Sequence, residues 1–397
     1  GDHLKSASDL SLPLVGVGLF YSHGYFNQRI DRDGNQVPEY NSNDFINLPL
    51  KRMQADDSTP LTVSVDLPGR TLYAFIWKLQ VGRITLYLLD TDASANTPQD
   101  RHITDQLYVG DERVRLEQEI LLGVGGARAL RKLGIAPSVY HINEGHSAFL
   151  IIENIREAMA NGDMSFEEAT ELVKGHAVFT THTPVEAGNE RFARDLILYY
   201  FNSFVKELGI TPERFFELGR QPGGDADKFL MTVLALKMTS IANGVSALHG
   251  RVARQMWEPV WGGVHRSMVP ICAVTNGIHV PSYIGHEMRE LLDTYLGLQW
   301  DRGLPSAKTW AKMDNVPGHL LWDAKQEMKQ RLIAYVRECV ARDWNGEAQP
   351  EISRDEVLGR IRTLTLTIGF ARRFAPYKRA TLLFSDLDRL DRIVNNP

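Results

Sequence analysis

The feature that most constrains this chain is a stretch near its end, residues 364–379, with the sequence LTLTIGFARRFAPYKR. Apolar residues alternate with threonine and glycine from Leu364 to Phe370, which is the period of a strand with one buried face. A proline and two alanines then break the alternation and indicate a loop. Leucines recur at helical spacing between Thr381 and Ile393, so the predicted order is strand, loop and helix.

The predicted loop is basic, since it carries Arg372, Arg373, Lys378 and Arg379. In an open α/β sheet the loop after a strand lies at the edge where ligands bind. Cations that precede a helix N-terminus form a good anion site. A solvated basic turn is the alternative interpretation of the same residues.

Composition limits the classes of function. The net charge of −5 argues against a nucleic-acid partner, so any anion site must be local. No apolar run approaches the length of a membrane span, and no signal peptide is evident. The two cysteines, Cys272 and Cys339, lie in apolar-patterned segments and are predicted to be small core residues in a reducing, cytoplasmic protein.

Two observations about the ends predict a piece of a longer protein. The chain opens in what reads as the middle of a helix, and it closes after one strand and one helix of a new unit. One such unit cannot bury both faces of a parallel strand. We place a domain boundary near 277–281, which gives domains of 1–280 and 281–397.

A strand–helix–helix–strand unit is predicted in the first domain. Its strands are 138–142 and 176–181, and a capping box of Ser165 with Glu168 begins its second helix. A further short strand is expected at 271–275. The other predicted elements are a buried strand at 12–21, antiparallel strands at 61–67, 72–79 and 84–90, helices at 113–133, 193–207 and 226–256, and an almost wholly helical block at 284–361. Three glycines inside helix 113–133 indicate close helix packing and not a phosphate loop.

Polar side chains follow each predicted parallel strand. The groups are His141, Asn143, Glu144 and His146; Thr181, His182 and Thr183; and Thr275, Asn276 and Gly277. Because the carboxyl ends of parallel strands meet at one edge, we expect these groups to line one crevice. Neutral hydrogen-bonding groups opposite the basic loop suit a polyhydroxylated ligand that carries or meets a phosphate.

Three other kinds of site have weaker support in the sequence. A metal site is conceivable from His141, His146, His176 and His182, but no pair has zinc-helix spacing beside a glutamate, and we predict none. Glu144 and Glu186 could serve as paired carboxylates, although each is equally plausible as a structural acid. A serine hydrolase is disfavoured because the chain lacks a G-x-S-x-G elbow.

Eight stretches, taken together and in order, resemble the α-glucan phosphorylases that act on glycogen, starch and maltodextrin, especially the long bacterial type. The stretches are GDHLKSASDL, GYFNQRI, LEQEILLGVGGARAL, HINEGHSAFL, VFTTHTPVEAGNERF, SIANGVSALHGRVA, VTNGIHVP and IGFARRFAPYKRA. Each alone is weak, but eight in the family's order are strongly specific.

The resemblance implies an α/β fold of the GT-B type with two Rossmann-like domains. The first, 1–280, would carry a β insertion and be incomplete at its N-terminus, and the second, 281–397, would be mostly missing. The implied activity is that of a glycosyltransferase of glycogen metabolism, which converts α-1,4-glucan and orthophosphate reversibly to α-glucose 1-phosphate with retention. The implied cofactor is pyridoxal 5′-phosphate, and a homo-oligomer is compatible with the family.

The resemblance also implies residue roles on the sugar side. His182 matches the histidine that bonds the 6-hydroxyl and lends its main-chain carbonyl to the transition state. Asn276 matches the asparagine that contacts the same 6-hydroxyl. Tyr377 matches a residue that lies near the 2-hydroxyl. The structural alternatives are a core histidine, an Asn-Gly turn and a packing tyrosine.

On the phosphate side, Arg373 and Lys378 match the catalytic cations that hold the substrate phosphate and the cofactor phosphate. Arg372 stands where the animal enzymes have lysine, and Val245 would lie near the cofactor. The structural alternatives are surface charge for the cations and packing for Val245.

Departures from the family pattern limit what the chain alone is expected to do. The family's glycine-rich loop would precede Gly1, its cofactor lysine would follow Pro397, and Tyr283 stands near a tryptophan of shorter members. We therefore expect residues 1–397 alone to be inactive. We also expect them to be poorly soluble, or partly unfolded near their end, because the predicted strand 364–370 lacks neighbouring strands. A sugar-nucleotide-dependent glucan synthase of the same fold and a non-catalytic glucan-binding fragment are the alternatives.

Overall fold

The computed structural model divides into two compact units. Unit 1 comprises Gly1–Gln28 and Pro38–His279, and unit 2 comprises Arg29–Val37 and Val280–Pro397. The residues that the structure describes are 1–31, 33–43, 45, 47–185, 188–303, 306–344, 352–372 and 378–395.

The described strands and helices are numbered in chain order. The strands are β1 Val15–Leu19, β2 Asn27–Ile30, β3 Gln36–Glu39, β4 Leu50–Arg52, β5 Thr62–Leu67, β6 Arg70–Val81, β7 Ile84–Asp90, β8 Tyr140–Asn143, β9 Ala177–Thr181, β10 Arg191–Ala193, β11 Lys228–Leu230, β12 Ile241–Gly244 and β13 Ile271–Ala273. The α-helices are α1 Asp2–Asp9, α2 Glu112–Ile120, α3 Gly126–Lys132, α4 Phe149–Gly162, α5 Phe166–Gly175, α6 Arg194–Tyr200, α7 Asn202–Glu207, α8 Pro212–Glu217, α9 Met231–Lys237, α10 Ala247–Trp257, α11 Val280–Tyr283, α12 His286–Leu296, α13 Ala307–Trp310, α14 Gly318–Asp343, α15 Arg354–Arg360 and α16 Leu387–Val394.

A four-stranded parallel sheet organises unit 1. Its strand order is β13-β12-β9-β8, and each neighbouring pair runs parallel. Phe179 and Ile142 are fully buried in its centre, in a core that also contains apolar residues of α4 and α5. The predicted strand–helix–helix–strand unit is confirmed, and both hydrogen bonds of the Ser165–Glu168 capping box are present at the start of α5.

A second, mixed sheet lies in the same unit. The predicted antiparallel strands form, with β6 between β5 and β7. β1 joins this sheet beside β7 in parallel register. The prediction of a buried strand at 12–21 is only partly right, because Leu19 is buried in β1 whereas Val15 is exposed.

The predicted helix at 113–133 forms with a change of pitch. A π-helical turn, Leu121–Gly125, joins α2 to α3. A Cβ on Gly123 would lie 2.7 Å from the backbone nitrogen of Leu150 and 2.9 Å from the Cβ of Phe149. Close packing on α4 therefore explains this glycine, as the sequence predicted.

The prediction of one long helix over 226–256 is wrong. The segment forms β11, α9, β12 and α10 in succession. β12 has four residues, IANG, and it occupies an inner position of the parallel sheet. A strand this short fits within a single helical period, so the apolar spacing on either side concealed it.

Unit 2 is largely helical between 284 and 361 over its described residues, as predicted. The strand predicted at 364–370 does not form, and Leu364 is 91% exposed. A strand needs neighbours to pair its backbone groups, and none of the described strands pairs with this segment. The predicted helix at 381–393 appears as a 3₁₀ turn, Ala380–Phe384, followed by α16.

The cysteine prediction is also wrong, since Cys272 is exposed and Cys339 is only half-buried. Cys272 lies on β13, which ends the parallel sheet, and Cys339 lies on α14. A strand at the end of a sheet and a helix with a solvent face both leave such side chains accessible. Among the described residues, no helix is long and apolar enough to cross a membrane.

Candidate functional site

The carboxyl edge of the parallel sheet brings together the polar residues that follow β8 and β9. The imidazole Nε2 of His182 lies 2.8 Å from the side-chain oxygen of Asn143. Since that oxygen only accepts, Nε2 carries the hydrogen and Nδ1 of the neutral ring is an acceptor. The ring orientation of His182 is thus fixed by the last residue of β8.

The carboxylate of Glu144 holds the main chain after β9. One oxygen accepts the backbone N–H of His182, the backbone N–H of Thr183 at 2.8 Å and the hydroxyl of Thr183 at 3.1 Å. The backbone N–H of Glu144 donates to the carbonyl of Thr180 at 2.9 Å, which extends the sheet pairing. Hydrogen bonds therefore join the segment after β8 to the segment after β9.

Glu144 adopts a backbone conformation that side chains rarely take, with φ 67° and ψ 171°. This region is essentially reserved for glycine and costs about 1–3 kcal/mol, so it persists only where the surroundings impose it. The next residue is closely packed, since a Cβ on Gly145 would lie 3.0 Å from the Cβ of Met231. The strain lies at the strand end that carries the candidate site.

A second hydrogen-bond chain runs across three strands. The Thr180 hydroxyl donates to the side-chain oxygen of Asn243 at 2.8 Å, so it accepts from Nε2 of His141 at 2.8 Å. The ring of His3 lies edge-on to His141, with centroids 5.9 Å apart. These contacts bind β8, β9 and β12 at the edge that carries His182.

Burial favours the neutral form of the two edge histidines, His141 and His182. Loss of solvent is the main cause that lowers the pKa of His141, and the neighbouring His3 and His182 lower it further. Loss of solvent also lowers the pKa of His182, with Glu144 opposing the shift. Neutral imidazoles beside amides and hydroxyls bind uncharged hydroxylated groups by hydrogen bonding.

The ends of β12 and β13 lie at the same edge. The backbone N–H of Asn276 donates to the carbonyl of Val245 at 3.0 Å, which joins the two loops. Ser246 caps the N-terminus of α10 by accepting from the N–H of His249. His249 is buried, and its Nε2 has no hydrogen-bond partner among the described residues.

Glu119, His146 and Glu190 form a cluster that the sequence analysis did not assemble. Nδ1 of His146 lies 3.1 Å from a carboxylate oxygen of the buried Glu119, and Nε of Arg115 lies 3.2 Å from Glu190. Burial raises the pKa of Glu119 to about 7, and the hydrogen bond to Glu119 is the main cause that raises the pKa of His146. The buried position of Glu119 between Leu116 and Ile120 in α2 is the signal that could have revealed it.

The histidines considered for a metal do not converge among the described residues. His141, His146 and His182 have the separate partners given above, and Nδ1 of His176 lies 2.8 Å from the carbonyl of Leu172. The one described group close enough to hold an ion is Glu119, His146 and Glu190. The Arg115 guanidinium beside Glu190 offsets part of the negative charge of this group.

The predicted basic residues belong to unit 2. Arg372 is exposed and Lys378 is half-buried. Arg373 and Tyr377 lie outside the described residues, as does Glu186 of the paired-carboxylate alternative. The structure therefore places His182 and Asn276, the residues predicted for the sugar side, at one sheet edge and describes the residues predicted for the phosphate side only in part.

Comparison with known proteins gives similarity along the whole chain. A maltodextrin phosphorylase of Thermococcus litoralis is 41% identical over 400 residues, which cover 100% of this chain and 46% of the relative. A glycogen phosphorylase of Mycobacterium tuberculosis is 40% identical, with 99% and 46% covered, and one of Aquifex aeolicus is 35% identical, with 100% and 57% covered. The chain thus spans about half the length of the curated relatives it matches, and no protein-family model matches it.

Proposed function

Because this chain is homologous over its whole length to maltodextrin and glycogen phosphorylases, we propose that it forms part of an α-glucan phosphorylase. The enzyme transfers a glucosyl unit between α-1,4-glucan and orthophosphate, and it yields α-glucose 1-phosphate with retention. The observation that carries the proposal is the 35–41% identity, over nearly every residue of the chain, to phosphorylases of three organisms. The working compartment we propose is the cytoplasm.

We propose that the carboxyl edge of the parallel sheet binds the glucosyl unit. His182 and Asn276 bond its hydroxymethyl group, and Tyr377 lies near its 2-hydroxyl. The neutral state of His182, favoured by burial, suits an uncharged hydroxyl partner. Its ring already has one nitrogen bound to Asn143, which leaves the other as an acceptor for a sugar hydroxyl.

The cofactor that the homology implies, pyridoxal 5′-phosphate, fits two features of unit 1. The N-terminus of α10, next to Val245, offers the positive end of a helix dipole, and the buried Nε2 of His249 has no partner among the described residues. Val245 would contact the cofactor, and Arg372, Arg373 and Lys378 would hold its phosphate and the substrate phosphate. When bound, the cofactor supplies a phosphate group as the acid–base catalyst.

For the architecture, we propose the GT-B arrangement of two Rossmann-like domains, 1–280 and 281–397. The parallel sheet packed with helices α4 and α5 supports a Rossmann-like α/β domain in unit 1. The helical residues of unit 2 would begin the second domain.

The test uses the full-length protein that contains this chain. Glucose 1-phosphate should form from maltodextrin with orthophosphate, and glucan should lengthen with glucose 1-phosphate but not with ADP-glucose. Elongation with ADP-glucose alone would instead favour a nucleotide-dependent synthase. Glucan binding with no turnover of either donor would favour a non-catalytic binding protein.

A further inference from the structure

The carboxylate of Glu144 bonds to the backbone that follows β9, which favours a role in holding that segment. One oxygen accepts from His182 N–H, Thr183 N–H and the Thr183 hydroxyl. All three contacts use the carboxylate oxygen as an acceptor. Through these hydrogen bonds Glu144 fixes the backbone geometry of His182 and Thr183.

The geometry of the peptide bond turns that contact into a constraint on His182. The described backbone contains no cis peptide bonds, so the His182 carbonyl and the Thr183 N–H point in opposite directions across one planar group. Since the Thr183 N–H points at Glu144, the His182 carbonyl points away from it. The ring of His182 is fixed independently by Asn143.

The charge of Glu144 also acts on that carbonyl. An anion bonded to the N–H side of a peptide group polarises it and raises the negative partial charge on its oxygen. A carbonyl oxygen preorganised in this way stabilises positive charge that develops in a transition state. Glycosyl transfer develops such charge at the sugar ring.

We propose that Glu144 is a positioning residue that aims and polarises the main-chain carbonyl of His182 toward the glucosyl carbon during transfer. This inference rests on the proposed phosphorylase function. Glu144 makes these contacts from an unfavourable backbone conformation, which persists only where the surrounding structure imposes it. The next residue, Gly145, lies close to Met231, since a Cβ on Gly145 would be 3.0 Å from the Cβ of Met231.

The experiment compares Glu144→Gln, Glu144→Ala and a matched control in the full-length enzyme. Glu144→Gln keeps an oxygen acceptor but removes the charge, and Glu144→Ala removes both. The control is Glu168→Gln, in which another carboxylate that accepts a backbone N–H, that of Ser165, loses its charge. Two inhibitors are compared: glucose, which is neutral, and a cationic cyclic iminosugar that mimics the charged ring.

We expect kcat to fall at least about tenfold in Glu144→Gln and about 10²–10³-fold in Glu144→Ala, the range for loss of one preorganised group. KM for orthophosphate should change less than about twofold, and the iminosugar should lose affinity in parallel with kcat. Glucose affinity should stay nearly constant, and Glu168→Gln should retain wild-type kcat. Should Glu144→Ala fail to fold, Glu144→Gln alone decides.

Unchanged kcat in Glu144→Gln, or equal loss of glucose and iminosugar affinity, would overturn the inference while leaving the proposed function intact. A wild-type enzyme that forms no glucose 1-phosphate would overturn the proposed function, and this inference with it.

Discussion

At the scale of single residues, the most unusual electrostatic feature of unit 1 is the carboxyl of Glu119. It is buried on α2, and its partner His146 lies on the loop that follows β8. Burial raises the pKa of Glu119 to about 7, and Glu119 in turn raises the pKa of His146. Both groups therefore bind protons more tightly in the folded state than in the unfolded chain.

This arrangement predicts that unit 1 becomes less stable as the pH rises. The Glu119 carboxyl has a pKa of about 7 in the folded protein and a reference pKa of 4.5, so between these pH values it binds more protons in the folded state. Its contribution to the free energy of unfolding therefore falls as the pH rises from 4.5 through 7. The raised pKa of His146 acts in the same direction. The difference in free energy of unfolding between wild type and Glu119→Gln should fall by on the order of 1–3 kcal/mol from pH 4.5 to pH 8.

Urea titrations across that pH range measure the effect. Glu112→Gln, a change on the same helix, provides the control and should follow the wild-type pH dependence. An identical pH slope in wild type and Glu119→Gln would show that Glu119 does not hold the extra proton.

Part of this site is predictable from the sequence because its residues follow strand ends. Asn143, Glu144 and His182 all stand directly after, or at the end of, a predicted parallel strand. The contacts of Glu119 and Glu190 were missed because they join residues far apart in sequence. The position of Glu119 between the apolar residues Leu116 and Ile120 signals burial, but its partner His146 is known only from the fold.

At the scale of elements, the π-helical turn between α2 and α3 is a place of very close backbone packing. Gly123 allows the turn to approach the start of α4 at Phe149. This helix follows the segment after β8 that carries Glu144 and His146. We predict that Gly123→Ala destabilises the protein by about 1–3 kcal/mol, because the new methyl must displace the backbone of Leu150.

The matched control is Gly175→Ala at the end of α5, where a Cβ would meet no atom within 4 Å. Its stability should stay the same or rise by up to about 1 kcal/mol, since alanine favours helix over glycine. Thermal unfolding of the two variants makes the comparison. Equal stability of Gly123→Ala and wild type would contradict the packing argument.

Elements with their own local signals were predictable, and those that depend on neighbours were not. The capping box marked α5, and apolar runs marked β8 and β9. β12 was missed because four residues carry too little periodicity to separate a strand from the flanking helices. The strand predicted at 364–370 has the correct alternation but no described partner, and strand formation depends on a partner.

At the scale of the whole molecule, His182 and Asn276, which we propose bind the sugar, lie in unit 1, and the basic residues Arg372 and Lys378 lie in unit 2. The joint action of these two sets of residues is part of the proposed function. The row of exposed apolar residues, Leu364, Leu366 and Ile368, agrees with a surface that a further strand would cover.

The most direct test of the central proposal, that the sheet edge of unit 1 binds the glucosyl unit, is the discrimination between glucose 1-phosphate and 6-deoxyglucose 1-phosphate. The full-length enzyme should prefer glucose 1-phosphate by at least about 10² in kcat/KM, because the deoxy analogue leaves His182 and Asn276 unpaired. In Asn276→Ala the preference should shrink at least about tenfold. Asn161→Ala, at the exposed end of α4, should keep the wild-type ratio. The same preference in wild type and Asn276→Ala would contradict the account.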